Sequence, residues 1–186
     1  MLWNQVFFDD VRVPGNHRPG DENQSWTVTK NLLGNERLLV LRVAENRRIL
    51  SCLREVTAQE TARNIELEDG HWRQLAELLI RLEALESTAL RLLTRFDSGG
   101  TIGAEPSMLK LKGSQLVQYL ARLLCDTIGY YNLPLNSTLR RQDQSPIGPV
   151  YSDKIASGLF HHRGFTIAGG SSEIQHNIIA QAVLGL

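Results

Sequence analysis

The chain has 186 residues, of which 20 are Lys or Arg and 20 are Asp or Glu, so its formal net charge is zero. This balance lacks the electrostatic footprint of a protein that binds nucleic acid or an anionic membrane surface. No apolar run approaches the roughly 20 residues that span a bilayer, and the first residues lack the basic and apolar regions of a secretion signal. We therefore expect a single cytoplasmic domain with a substantial core and with no nucleic-acid or membrane partner.

The first part of the chain predicts β structure. Residues 3–14, WNQVFFDDVRVP, are rich in Val and Phe, which is typical of one or two short strands ended by a turn. A lone strand needs a partner, and no other segment indicates one. We therefore expect this piece to pair with another chain or with a domain outside this sequence. Residues 15–24 are polar and contain Gly and Pro, as linkers do.

Apolar residues then recur at helical spacing in three long segments, over about 25–62, about 70–97 and about 105–129. A shorter fourth helix is expected over 151–162, after a proline-containing loop at 135–149. Relatively short connections favour antiparallel neighbours. The predicted fold class is therefore all-α, an up-and-down four-helix bundle preceded by a short β segment.

Residues 165–186, FTIAGGSSEIQHNIIAQAVLGL, run from a small-residue turn into an amphipathic helix. Gly169 and Gly170 free the backbone to bend, and Ser171 or Ser172 can cap the helix that follows. A helix N-terminus beside glycines presents unpaired N–H groups, which suit a phosphate, a pyrophosphate or a thioester oxygen. From the residues alone, a ligand-facing turn and an ordinary capped turn both remain open.

Several side chains are expected to be buried within this helical part. Ile174, Ile178 and Ile179 share one face of the last helix, which we expect to pack on the bundle. Cys52 and Cys125 lie inside apolar helical patterns and lack the spacing of a disulfide framework or a metal site. We expect both cysteines to be buried free thiols.

Two other groups of polar residues are expected to be structural. His161, His162 and His176 lie near the turn, but adjacent histidines point to different helix faces and no carboxylate stands at a fixed ligand spacing, so we expect no metal site. Lys110 and Lys112 could in principle touch a phosphate. A solvated charged face is the expectation for both lysines.

The segment AGGSSEIQHNIIAQAVLGL resembles the C-terminal signature of the acyl-CoA dehydrogenases, whose usual form is close to GGTSEIQRNIIA. VFFDDVRVP near the start resembles the last strand of that family's middle β-domain, and LLGNERLLV resembles the opening of its C-terminal helix bundle. The resemblance covers nearly the whole chain, in order. It implies that residues 1–24 are a remnant of the middle β-domain with its linker, and that residues 25–186 are the C-terminal helical bundle domain.

The resemblance implies an FAD-dependent enzyme that removes the α-proton of an acyl-CoA thioester while hydride leaves the β-carbon for the flavin. Most members hold the base just before the Gly-Thr of the C-terminal turn, where this chain has Gly169. The isovaleryl- and long-chain-type members instead place a Glu beside an Arg at the opening of the first C-terminal helix, as in Asn35-Glu36-Arg37. Glu36 is therefore expected to be the base and Arg37 a substrate-binding residue. Without the resemblance, Glu36 would be an acid favoured by the helix dipole.

The same resemblance assigns roles within the C-terminal turn. The N–H of Gly169, together with a flavin ribityl hydroxyl, is expected to stabilise the enolate-like oxygen. Gly170, Ser171 and Glu173 are expected to bind FAD, with Ser171 in place of the family's Thr and Glu173 near the adenine. The Arg-x-x-Phe-Gly segment that reaches a neighbouring subunit's FAD is missing, since the chain reads TARNI at 61–65. We expect no such contact there.

Two functions remain open at this point. The first is the C-terminal domain of an acyl-CoA dehydrogenase, with acyl-CoA as substrate and electron-transfer flavoprotein or a similar acceptor as partner. The alternative is a truncated or non-catalytic partner subunit that acts as an oligomerisation module. Both imply a homo- or hetero-oligomer of such subunits. Because the family's other two domains supply much of the pocket, the chain alone is expected to be incomplete for activity.

Overall fold

A computed structural model of the protein describes residues 5–29, 32, 41–101, 103–133 and 147–186. Within these ranges the regular structure is entirely helical. The longer helices are α1 (Val43–Ala62), α2 (His71–Asp97), α3 (Glu105–Ile128), α4 (Ile155–Arg163) and α5 (Ser172–Leu184). Short 3₁₀ turns lie at Gly15–His17, Gly129–Asn132, Val150–Ser152 and Gly164–Thr166. The predicted all-α bundle is confirmed.

Helices α2 and α3 follow the predicted pattern closely. The apolar stripe of α2 is buried along its length, through Leu78, Leu82, Leu85, Ala89 and Leu92. Helix α3 begins at Glu105 with a proline in its first turn, where the missing N–H is not needed for a helical hydrogen bond. These two helices form where the sequence predicts them, because the spacing of their apolar residues and the residues that end them can be recognised within each segment.

Helix α3 is the centre of the bundle. It packs against α1, α2, α4 and α5, and it carries buried residues on most of its circumference. Leu109, Val117 and Leu120 are almost completely buried there. Since α4 and α5 both pack on α3, this helix holds the C-terminal part of the chain in place.

The prediction of a short β segment is not borne out by the structure. Residues 5–14 form no strand, and Phe7 and Phe8 are 83% and 81% exposed. A strand is stable only when a neighbouring strand completes its hydrogen bonds, and no described part of the chain provides one. The Val and Phe residues favour a strand, but no strand forms because none of the described residues pair with them.

The first long helix is interrupted, which corrects the prediction of one continuous helix over 25–62. Residues 25–29 are helical, but Leu41 and Arg42 are not, and α1 starts only at Val43. Arg42 precedes α1 in a left-handed conformation with φ of 59°, which a continuing helix cannot contain.

The last helix buries a different side chain from those predicted. Ile174 is 52% exposed, Ile178 and Ile179 are half-buried, and Gln175 is buried. The predicted apolar face of α5 is therefore wrong for Ile174, because this helix is oriented by polar contacts of Gln175 that periodicity does not reveal.

Neither cysteine is paired. Cys125 is buried and Cys52 is half-buried, and burial raises the pKa of the Cys125 thiol to about 11. Both therefore remain protonated thiols of the bundle. Across the described ranges, no helix combines the length and apolar character needed to cross a membrane.

Candidate functional site

The glycine turn, residues 168–171, connects the 3₁₀ turn Gly164–Thr166 to α5. Gly169 and Gly170 have φ values of 76° and 91°, which side chains disfavour, so glycine is required at both positions. Ser171 then caps α5, because its hydroxyl accepts a hydrogen bond from the Ile174 N–H at 3.3 Å. The two predicted features of this stretch, the sharp bend and the capped helix, are both present.

The carbonyl groups of the glycine turn are anchored to the bundle. Gln175 Nε2 donates to the Gly169 carbonyl at 3.0 Å, and Lys110 Nζ donates to the Gly170 carbonyl at 2.6 Å. Lys110 is only 2% exposed, so the expectation that it lies on a solvated face is wrong. Lys110 faces the interior of the bundle, among the buried residues of α3. Lys112 is exposed, as expected.

The amide groups of the turn are available to a ligand. Gly169 and Gly170 are exposed, and their N–H groups find no acceptor within the described ranges. An unpaired N–H beside a helix N-terminus favours a negatively charged or strongly polarised oxygen. The turn can therefore act as a hydrogen-bond donor for such an oxygen.

Two charged side chains, Glu173 and Lys110, lie next to the glycine turn. Glu173 is exposed in the first turn of α5, and its pKa is lowered by its own backbone N–H and by the Ser171 hydroxyl. Burial lowers the pKa of Lys110, with Arg42 adding to this effect and Glu173 opposing it. The site thus places one buried cation behind the turn and one carboxylate on its open side.

The start of α1 contacts the same region from the other side. The Arg42 guanidinium carbon lies 3.9 Å from the centroid of the Phe165 ring, and Phe165 is buried. His162 Nε2 lies 3.0 Å from Glu45 Oε1. Arg48 is the main cause that lowers the pKa of Glu45. These contacts join the residue before α1, and the first turn of α1, to the segment that leads into the glycine turn.

The structure brings together four of the predicted site residues, with Gly169, Gly170 and Ser171 on the glycine turn and Glu173 in the first turn of α5. Glu36 and Arg37 lie outside the described residues. Prediction from the sequence missed Lys110 and Gln175, the two side chains that anchor the turn. The sequence carried no signal for either residue, because a polar side chain does not contribute to an apolar helical pattern.

The structure contains no group of His, Cys, Asp or Glu able to hold a metal ion within the described ranges. His162 is buried while His161 is exposed, as their adjacent positions on a helix require. Arg63, in the TARNI segment at 61–65, donates to Glu60 at 3.1 Å and to the Tyr151 hydroxyl at 2.8 Å.

Residues 23–184 match the family model for the acyl-CoA dehydrogenase C-terminal domain. The chain belongs to the acyl-CoA dehydrogenase family. It is 32% identical to the acyl-CoA dehydrogenase FadE26 of Mycobacterium tuberculosis, with 97% of this chain and 45% of that protein covered. The acyl-CoA dehydrogenase chain thus spans less than half the length of this curated relative.

Two solved structures share the fold of this acyl-CoA dehydrogenase chain. The ChsE4-ChsE5 complex from Mycobacterium tuberculosis is similar with a TM-score of 0.69 and 28% identity, over 97% of this chain and 45% of that one. A structure titled the Tcur3481-Tcur3483 steroid ACAD has a TM-score of 0.78 over 97% of this chain and 44% of that one, at 22% identity. At that identity, the second similarity shows the fold alone.

Proposed function

We propose that this chain carries the C-terminal part of the active site of an FAD-dependent acyl-CoA dehydrogenase, which converts an acyl-CoA thioester to its α,β-unsaturated form. The observation that supports this proposal is the glycine turn, whose carbonyls are anchored to the bundle while the Gly169 N–H finds no acceptor in the described ranges. A preorganised N–H donor is what an acyl thioester oxygen requires as negative charge develops on it.

The Gly169 N–H is the proposed donor to the thioester oxygen. Removal of the α-proton turns the thioester into an enolate-like species, and a fixed donor to its oxygen contributes roughly 3 kcal/mol in a transition state of this kind. Because the turn is already held by Lys110 and Gln175, little reorganisation accompanies the reaction. Gly169 also leaves the space that a side-chain base would occupy in other family members.

Glu36 is the proposed base that takes the α-proton, with Arg37 beside it as a substrate-binding residue. Chain connectivity supports a position in the neighbourhood of the turn, because Arg42 stacks on Phe165 and Glu36 precedes Arg42 by six residues. Six residues span at most about 22 Å. A carboxylate buried against an acyl chain gains basicity once the substrate excludes water.

Gly170, Ser171 and Glu173 are the proposed FAD-binding residues. The donor set fits such a group, since the Gly170 N–H has no acceptor among the described residues and the N-terminus of α5 favours phosphate oxygens. Ser171 caps α5 with its hydroxyl oxygen, and the same hydroxyl lowers the pKa of the Glu173 carboxyl, so these two side chains lie together at that N-terminus. FAD, when bound, would accept the hydride that leaves the β-carbon.

We also propose that the chain works in an assembly with acyl-CoA dehydrogenase subunits and passes electrons to electron-transfer flavoprotein or a similar acceptor. The similar structure from Mycobacterium tuberculosis is a complex of two proteins, ChsE4 with ChsE5. The same pairing favours one alternative function, in which this chain is a non-catalytic partner that contributes only bundle contacts.

Titration with FAD distinguishes these two functions. We expect the purified chain, or the chain joined to the N-terminal part of FadE26, to perturb the flavin's visible absorbance and to bind it stoichiometrically. Failure of both forms to bind FAD would favour the non-catalytic partner.

The role of Glu36 is tested in the form that turns over acyl-CoA. We expect Glu36→Gln to lower the rate by roughly 100-fold to 10,000-fold, the range that a general base contributes, while FAD binding is unchanged. Glu77→Gln, an exposed glutamate of α2, is the matched control and should retain the rate. Full turnover by Glu36→Gln would contradict the assignment.

A further inference from the structure

Lys110 is buried where a leucine would be expected. Its neighbours in α3, Leu109 and Leu111, are 1% and 4% exposed, and Lys110 itself is 2% exposed. An ammonium group removed from water is unfavourable unless it gains strong partners, and an apolar side chain would fill the same space at lower cost. The charge of Lys110 therefore requires a reason beyond packing.

The partners of Lys110 supply that reason. Its Nζ atom donates to the Gly170 carbonyl at 2.6 Å and lies 3.5 Å from the Thr166 carbonyl, so it joins both ends of the segment that contains the glycine turn. A charged donor makes a stronger hydrogen bond than a neutral one. Lys110 is thus the strongest identified link between this segment and α3.

The hydrogen bonds also set the direction of the amides. In a trans peptide the N–H points opposite to the C=O of the same peptide plane, and no described peptide is cis. Gln175 holds the Gly169 carbonyl and Lys110 holds the Gly170 carbonyl. The N–H groups of Gly170 and Ser171 consequently point away from these side chains, toward the open side of the turn.

Both glycines adopt positive φ values, so the backbone of the turn needs external contacts to keep one conformation. We propose that Lys110 is a positioning residue, which holds the Gly170 carbonyl against α3 and thereby presents the Ser171 N–H, beside the Gly170 N–H that Gln175 orients, to the bound flavin. The identity of this ligand rests on the proposed function. The contact by which Lys110 fixes the turn does not depend on the proposed function.

The test compares Lys110→Met with Lys112→Met in the full chain. Both changes remove one lysine charge from α3, but only Lys110 is buried against the turn. We expect backbone NMR order parameters at residues 168–171 to fall from about 0.85 to below about 0.6 in Lys110→Met, with α2 unchanged. The dissociation constant for FAD should rise roughly tenfold, as for the loss of one strong hydrogen bond. Lys112→Met should match the wild type in both.

Wild-type order parameters at the turn in a folded Lys110→Met chain would overturn the proposal. If this variant does not fold, the wild-type chain is tested by reductive methylation. A buried Lys110 that is hydrogen-bonded to the turn must be methylated much more slowly than Lys112. Equal reaction of the two lysines would overturn it. Loosening of the turn in Lys110→Met, together with failure of both the wild-type chain and the form joined to the N-terminal part of FadE26 to bind FAD, would contradict the proposed function and still support the role of Lys110.

Discussion

Among the single residues, two histidines have pKa values that are lowered mainly by burial. His71 is 3% exposed, and its Nε2 lies 3.1 Å from the Thr57 hydroxyl oxygen. Burial lowers the pKa of His71 below its usual value of 6.5. Burial is also the main cause that lowers the pKa of His162, although Glu45 opposes it. Both imidazoles are therefore less readily protonated in the folded chain than in the unfolded chain.

These lowered pKa values predict acid sensitivity. Above the unfolded pKa both states are neutral, and below it the unfolded state takes up the proton first, so the free energy of unfolding falls as pH decreases. Each such proton contributes at most about 1.4 kcal/mol per pH unit. We expect His71→Gln to reduce this dependence in urea unfolding followed from pH about 7.5 to about 5.5.

The matched control for the pH prediction is His17→Gln, because His17 is exposed. This variant should keep the wild-type dependence of stability on pH. An unchanged slope in His71→Gln would show that His71 does not contribute to acid sensitivity.

At the scale of elements, the entry into α1 is fixed by its contact with α3. Asn46 Nδ2 donates to the carbonyls of Arg42 at 2.8 Å and Gly113 at 3.1 Å, and Asn46 is fully buried. A Cβ atom at Gly113 would lie 2.3 Å from the Leu41 carbonyl oxygen. The backbone before α1 can therefore approach α3 only because residue 113 has no side chain.

We predict that Gly113→Ala destabilises the chain by about 1 to 3 kcal/mol, the usual cost of overpacking, in spite of the higher helix propensity of Ala. Gly158→Ala in α4 is the control, because its Cβ would lie 3.9 Å from His162 Cε1. That variant should gain about 0.5 to 1 kcal/mol from helix propensity. Urea denaturation measures both. Equal stability changes at the two glycines would contradict the close contact.

At the scale of the whole molecule, several large apolar side chains are exposed on α2. Ile80 and Leu90 are 68% and 58% exposed, and Leu93 and Phe96 are 42% and 48% exposed. Leu90, Leu93 and Phe96 follow one another at a spacing of three, so they are neighbours on the helix, and neighbouring exposed apolar residues on soluble proteins mark contact surfaces. These three side chains support the proposed assembly with further acyl-CoA dehydrogenase subunits.

We predict that the chain forms dimers or tetramers, measured by sedimentation velocity. Leu90→Asp should shift the population toward monomer, since a charge would be buried in the contact. Arg91→Gln, a change at the adjacent exposed residue, should leave the assembly intact. A monodisperse wild-type monomer would count strongly against self-association through the long helices.

Three features follow from the sequence alone: the all-α class, the bounds of α2 and α3, and the capped bend at Gly169 to Ser171. Helix periodicity, breakers and caps are local, so they can be read without knowing what packs against them. Three others arise from packing: the break before α1, the exposure of Ile174 and the burial of Lys110. Each depends on contacts between residues far apart in the chain, as when Lys110 bonds a carbonyl 60 positions later. Spacing within one helix carries no information about such partners.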